Sequence, residues 1–347
     1  MASKYLIIAP SWVGDMVMAQ SLFRFLKDQE PDCVIDVLAP KSSLPMAQFM
    51  PEVNEKILFD FKHGEFSFFK RRKFAKSLKR KQYTHSIVLP NSWKSALVPF
   101  FIGIHKRIGF VGESRYLLLN DVRKLDKQKL PLMIDRFCAL AVPNNQDLPN
   151  RLPYPKFVAN TEEKNLLMQR LNFNTSKKII GFCPGAEFGP AKKWPTRSYA
   201  SLADKLIELG FQIWLFGGPN DKNTTQDIID HSSHDNKQIN IVDFAGKTSL
   251  VDAVNIMDCC DYIISNDTGL MHIANALCKK TLVIYGSSSD NFTPPLNEQS
   301  VSIYLEDLEC RPCFKRTCPL EHMNCLNQLS TEQVFNKFSA TFLQADK

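Results

Sequence analysis

Tyr262-Ile-Ile-Ser-Asn-Asp-Thr-Gly-Leu-Met-His-Ile-Ala-Asn275 passes within fourteen residues from a short β-branched run to a stretch whose apolar residues stand three and four apart. The run reads as a strand buried on both faces, and the second half reads as a helix laid back on the sheet. Outward from it the same alternation recurs. Tyr5-Leu-Ile-Ile8, Val34-Ile-Asp-Val-Leu38, Ser86-Ile-Val-Leu89, Lys178-Ile-Ile-Gly-Phe182, Gln212-Ile-Trp-Leu-Phe216 and Thr281-Leu-Val-Ile-Tyr285 are strand-like, while residues 18–27 and 198–209 carry helical spacing. Strands and helices in turn predict α/β layers around parallel, doubly wound sheets. The polar, Pro-containing stretch 143–155 reads as a linker. It sets a boundary near 143–160 and two domains, 1–155 and 156–347, with a last helix able to pack back on the first. Open sheets of this kind take ligands outside the carboxyl ends of their strands, so the chemistry is expected in the loops after the strands, in a cleft between the domains.

Composition narrows the class. With 347 residues, 44% apolar, 23% charged and 14 Gly, the chain is neither collagen-like nor disordered. Its net charge of +7 suits an anionic substrate or a membrane surface without demanding nucleic acid. The longest apolar window, residues 96–104, is about half of a membrane span. The first ten residues lack a signal-peptide core, and ten Cys without secretory signals read as reduced thiols in the cytoplasm.

Four loops and one helix carry candidate chemistry. Pro10-Ser-Trp-Val-Gly-Asp15 puts a carboxylate at the start of a helix beginning near Met16, where it caps N–H groups or accepts a proton from a substrate hydroxyl. Phe182-Cys-Pro-Gly-Ala-Glu-Phe-Gly-Pro-Ala-Lys-Lys-Trp-Pro195 brings Lys192 and Lys193, which suit a diphosphate. Phe216-Gly-Gly-Pro-Asn-Asp221 is a turn whose Asp221 suits ribose hydroxyls. In the opening segment Asp267, Thr268 and Gly269 stand at a helix N-terminus, where N–H groups and dipole together favour phosphate, and His272 lies one turn on. Lys70–Lys81 holds eight cations, a solvated helix face or an attractor of anionic headgroups, with little aromatic interleaving for nucleic acid. Cys310, Cys313, Cys318 and Cys325 form a CxxC-led cluster, read either as packed thiols or as a structural metal site. No GxxxxGK[ST], HExxH or Asp-x-Asp occurs, which favours metal-independent handling of phosphate by Lys and helix N-termini.

Ser11-Trp-Val-Gly-Asp15, Leu89-Pro-Asn-Ser-Trp-Lys-Ser-Ala-Leu-Val-Pro99, Cys183–Pro195 and Asn266-Asp-Thr-Gly-Leu-Met-His272, taken in order, resemble the heptosyltransferases of glycosyltransferase family 9. The Cys-Pro-Gly-Ala-Glu-Phe-Gly-Pro-Ala-Lys and Pro-Asn-Ser stretches are similar to the type II members. The resemblance implies a GT-B fold of two Rossmann-like domains facing a cleft. It implies inverting transfer of L-glycero-D-manno-heptose from ADP-heptose to the first heptose of heptosyl-Kdo2-lipid A. Asp15 matches the family's base, and Lys192, Thr268, Gly269 and His272 match positions around the diphosphate, with Asp267 in the same nest and Asp221 toward the ribose. Lys193 stands where the family varies. Arg71, Arg72 and Asn91 are the candidates for acceptor contacts in the first domain. The implied setting is the cytoplasmic face of an inner membrane, with peripheral contact to anionic lipid. Transfer to another core position, and sugar-nucleotide binding without turnover, are the competing readings.

Overall fold

The computed structural model describes residues 2–61, 66–144, 146–171 and 176–344. Six strands, Lys4–Ile8 (β1), Val34–Ala39 (β2), Val53–Leu58 (β3), His85–Val88 (β4), Lys106–Phe110 (β5) and Asp121–Arg123 (β6), form a parallel sheet in the order β3-β2-β1-β4-β5-β6. Ile179–Cys183 (β7), Gln212–Leu215 (β8), Ile241–Asp243 (β9), Tyr262–Asn266 (β10), Lys280–Ile284 (β11) and Ser300–Ile303 (β12) form a second parallel sheet in the order β12-β11-β10-β7-β8-β9. Counted within its own half, the second order repeats the first, and both are the doubly wound order in which ligands sit where the strand order reverses.

The chain divides into two compact units, Met1–Val158 and Ala159–Lys347. The first carries helices Val13–Gln29 (α1), Phe68–Leu78 (α2), Leu97–Ile102 (α3) and Met133–Cys138 (α4). The second carries Thr161–Arg170 (α5), Thr196–Glu208 (α6), Lys222–His231 (α7), Lys237–Asn240 (α8), Leu250–Met257 (α9), Gly269–Ala276 (α10), Asn324–Asn327 (α11) and Thr331–Phe338 (α12). None of the described helices is long and apolar enough to cross a membrane.

Burial explains which strands announce themselves. Every residue of β7 and β10 is buried, so their sequences are apolar apart from the polar Ser265 and Asn266 that end β10, whereas edge strand β3 alternates with exposed polar residues. The stretch expected as a linker, of which Asn145 lies outside the described residues, is packed on the first unit at its far end. Leu152 and Phe157 are buried, Phe157 stacks on Phe49 at 5.5 Å, and Arg24 donates to Tyr154 O. Gln20, fully buried on α1, bonds both backbone polar groups of Lys156, at 2.8 and 2.9 Å. These bonds carry the first unit on to Val158. In the second unit α12 packs on α6, and Phe338 and Phe342 close on the Tyr262 ring at 5.4 and 5.9 Å.

Candidate active site

β7 and β10 are neighbours at the point where the second sheet reverses its order, so the loops after them open on the ligand side of the sheet. Asn266, the last residue of β10, is fully buried and ties those loops together. Its Nδ2 donates to Pro184 O at 2.6 Å, and its Oδ1 accepts from Trp194 N at 3.3 Å and Tyr199 OH at 3.1 Å. Trp194 is itself locked by an Nε1–H bond of 2.9 Å to Leu329 O.

With the loop so fixed, the Lys192 ammonium donates to Asp267 Oδ2, which also accepts from Ser288 Oγ. Asp267 is buried, and a buried carboxylate is tolerable because it is paired and hydrogen-bonded. His272 is buried one turn into α10. Burial pushes its pKa down to about 4, with Asp267 drawing it up and Lys192 adding repulsion. The ring is therefore neutral at pH 7 and has a single N–H to donate. Thr268 is the extended N-cap residue of α10, its side chain making no cap hydrogen bond, and Gly269 opens the helix. That end of the helix favours negative charge.

Lys193 pairs with Asp221 at 3.2 Å, and Asp221 Oδ2 accepts from Gly218 N at 3.1 Å. Gly185 makes the approach of that carboxylate achievable, since a Cβ there would stand 2.4 Å from Asp221 Cγ. Sequence reading has both lysines awaiting a diphosphate. In the structure each is held by a carboxylate of the same candidate site, so an anionic ligand must share or replace those partners. Three residues that sequence reasoning missed also belong here: Asn266, Ser288 and Arg316. The Lys192 ammonium and the Arg316 guanidinium lie 5.0 and 5.2 Å from the Phe188 ring, and Arg316 O accepts from Ala191 N at 3.1 Å. Their signal in sequence was faint, being a polar residue ending an apolar strand, a serine run, and an Arg inside a cysteine-rich segment.

In the first unit α1 begins at Val13 rather than near Met16, which sets Asp15, half-buried, in its first turn. The turn before it is held by Ser43 Oγ and Ser42 Oγ, which donate to Pro10 O and Ser11 O at 2.7 and 2.9 Å. Asn91 lies in the loop after β4, the strand next to β1 at the reversal of this sheet. A buried Arg115 fixes that loop. It donates to Pro90 O, to Ser92 O at 3.3 Å, to Ser95 Oγ at 3.2 Å and to Asn91 Oδ1 at 3.2 Å, and anchors on Phe110 O at 2.7 Å. Burial pushes the Arg115 guanidinium down to about 10, which leaves it charged at neutral pH. Gly112 has no room for a side chain, because a Cβ would lie 2.3 Å from Asn91 O. Arg72 is exposed on α2, but Arg71 departs from the expected solvated face. It is 2% exposed, bonds Phe66 O at 2.8 Å, and stacks on the Phe59 and Phe61 rings at 4.8 and 4.5 Å. Its position opposite the exposed stripe of α2 makes it part of the packing rather than of an acceptor-facing surface.

The family model for glycosyltransferase family 9 (heptosyltransferase) matches residues 71–324, most of the chain and all of the second unit's site loops. The chain belongs to this family. It is 46% identical over 307 residues to lipopolysaccharide heptosyltransferase 2 of Escherichia coli, covering 87% of this chain and 88% of that one. It is 48% identical over 314 residues to lipooligosaccharide heptosyltransferase 2 of Haemophilus ducreyi, covering 88% and 89%. The solved structure of E. coli ADP-heptose LPS heptosyltransferase II superposes with a TM-score of 0.89 at 41% identity, over 99% of this chain and 100% of that one. The two six-stranded units are thus those of a GT-B glycosyltransferase.

In this heptosyltransferase the cysteine-rich segment lies under the site loops. Cys310, Cys313, Cys318 and Cys325 line one small cavity with Ala191 and Ser287, all as free thiols. Burial and its three thiol neighbours push Cys325 up. Among the described residues no group of three or more His, Cys, Asp or Glu stands at spacings that would hold a metal ion. The segment braces the transferase's loops: Phe314 N donates to Ser287 O at 2.8 Å, and Arg311 donates to Gly286 O and Ser288 O at 3.0 and 3.2 Å.

Proposed function

We propose that this heptosyltransferase moves L-glycero-D-manno-heptose from ADP-heptose to the first heptose of the lipopolysaccharide inner core, on heptosyl-Kdo2-lipid A, with inversion at the anomeric carbon. The observation that carries the reading is the joined set Lys192, Asp267, Ser288 and the N-terminus of α10 at the strand-order reversal of the second unit. Such a set suits the charge that gathers on a departing ADP, with Lys192, Lys193 and the helix end taking the diphosphate and Asp221 the ribose. His272, as a neutral imidazole, lends one N–H to a phosphate oxygen.

Asp15 is the base on this reading. Its carboxylate takes the acceptor hydroxyl proton as the oxygen bonds to the anomeric carbon, and the bond from that carbon to the diphosphate oxygen breaks with its electron pair going to ADP. Positioning, one base and a cationic cradle suffice, so no divalent metal is called for. The chain then works in the cytoplasm at the inner membrane face, in peripheral contact with anionic lipid, where its lipid-linked acceptor resides.

The test is ADP release from purified protein given ADP-heptose, with acceptor bearing one heptose, with heptose-free Kdo-lipid A, or with neither. Release with the monoheptosylated acceptor alone is the expected result. Release with the heptose-free acceptor moves transfer to the first core position, and ADP binding without release under any condition leaves a binding protein.

A further inference from the structure

From Phe66 to Phe110 the sequence contains eleven Lys and Arg and no Asp or Glu, whereas the whole chain carries only +7, so the remainder is net acidic. The excess charge of the molecule is therefore concentrated in one stretch of the first unit, built on α2, β4, α3 and β5. The same stretch exposes large apolar rings. Phe69 is 80% exposed, Phe66 49% and Phe100 40%.

These rings are joined, not scattered. Phe66 stacks on Trp93 at 5.7 Å and on Phe68 at 6.2 Å, Phe68 meets Phe69 at 5.6 Å and Phe101 at 5.0 Å, and Phe101 meets Phe100 at 5.7 Å. Arg107 lies over Phe100 at 5.6 Å and donates to Leu118 O at 2.7 Å, beside Leu117, which is 88% exposed. On α2, Phe69, Lys73 and Lys76 fall at i, i+4 and i+7, one exposed stripe opposite the buried Arg71, Ala75 and Leu78. An aromatic ridge whose base is packed and whose tips stand out among cations is the composition of an interfacial anchor, with rings entering the acyl boundary and cations meeting headgroups.

We infer that the face formed by Phe66, Phe69, Phe100 and Leu117, with Lys73 and Lys76, docks on an anionic bilayer and holds it without the acceptor. The inference rests on the peripheral-membrane part of the proposed function. It commits to the bilayer rather than to the phosphates of one acceptor molecule because exposed rings gain nothing from a phosphate, while cations beside rings gain from both parts of a lipid surface.

The experiment is flotation of the full chain with vesicles of phosphatidylethanolamine and phosphatidylglycerol at 3:1, or of phosphatidylcholine alone, neither containing donor or acceptor. Binding to the anionic vesicles at least tenfold above the neutral ones is expected, falling as salt rises. Phe69→Ser should lower binding about tenfold with its salt dependence kept. Lys73→Glu with Lys76→Glu should lower it at low salt and flatten the salt dependence. Phe69→Ser should also leave turnover on a water-soluble deacylated acceptor unchanged, since the ring lies outside the site. Equal binding to both vesicle types, or wild-type binding by Phe69→Ser, overturns the inference. Absence of turnover in the unsubstituted protein, with vesicle binding intact, would instead tell against the proposed reaction.

Discussion

The two units repeat one strand order yet secure their site loops with different bonds. In the second unit the charged side chains of the site engage one another. Lys192 meets Asp267, Asp267 meets Ser288, Lys193 meets Asp221, and Asn266 closes the loops from beneath. In the first unit the loops are secured from outside, by Ser42, Ser43 and Arg115, and the candidate residues Asp15 and Asn91 are carried on them. Each doubly wound sheet thus supplies a place at its reversal point, and the surrounding bonds decide what each can do. A web of compensated charge suits a diphosphate held the same way at every turnover. A carboxylate on a secured helix start suits a single proton transfer.

Substitutions can separate the two roles. Asp15→Ala should lower kcat by about a hundredfold or more, as loss of a general base does, while ADP affinity measured by calorimetry stays within about twofold. Near-normal turnover would dismiss the base assignment and leave the first unit's helix start as a cap. Lys192→Ala should show the converse. Hydrogen bonds to charged groups contribute about 1.5–3 kcal/mol, so ADP affinity should fall about tenfold to a hundredfold. The protein should also lose stability, because buried Asp267 loses its paired cation and keeps the Ser288 bond. If ADP bound as tightly as before, the cradle would lie elsewhere in the unit.

A smaller effect is expected of Gly185→Ala, whose added methyl displaces the Asp221 carboxylate. ADP affinity should drop several-fold, and an ADP analogue lacking ribose hydroxyls should lose its disadvantage relative to ADP. Equal discrimination in variant and wild type would remove Asp221 from ribose binding. The last expectation concerns pH and reads stability, not affinity. Burial holds folded His272 near a pKa of about 4 against an ordinary 6.5, so between those values the unfolded chain binds the extra proton. Stability should therefore fall as pH drops from about 6.5 to about 4, by at most about 3 kcal/mol. Thermal unfolding of His272→Gln over that range should show a shallower slope. Saturating ADP should flatten the wild-type slope too, because phosphate beside the ring favours its protonated form.

Much of this is legible in the sequence, for reasons that particular residues make plain. β7, β8, β10 and β11 are predicted because they are buried along most of their length. The strands that escape, β3, β6, β9 and β12, are the edges of their sheets, either three residues long or half-exposed, and β5 hides behind Lys106 and Arg107. Asp267 and Thr268 are legible because they directly follow a recognisable strand end, and Lys192 and His272 because they lie in the loop or helix that such a strand leads into. Their pairing is not, since the Lys192–Asp267 contact spans 75 residues of sequence and depends on Asn266 fixing the loop between. Arg71 misleads for a simpler reason. A cation within a basic run reads as solvated, and only helical phase against Phe59 and Phe61 reveals that it packs inward.

The Arg115 clamp has a consequence for how the loop after β4 can vary. One guanidinium meets Pro90 O, Ser92 O, Ser95 Oγ and Asn91 Oδ1, so it gauges the loop by the spacing of two backbone carbonyls and two polar side chains. Lys94 is then open to exchange, and a lineage could retune what the loop greets by point substitution there, whereas Trp93 is tied to the first unit by its stack on Phe66. Adding or removing one residue between Pro90 and Ser95 would put every carbonyl out of step with the clamp. The loop is tied at Asn91, Trp93 and Ser95 and fixed in length.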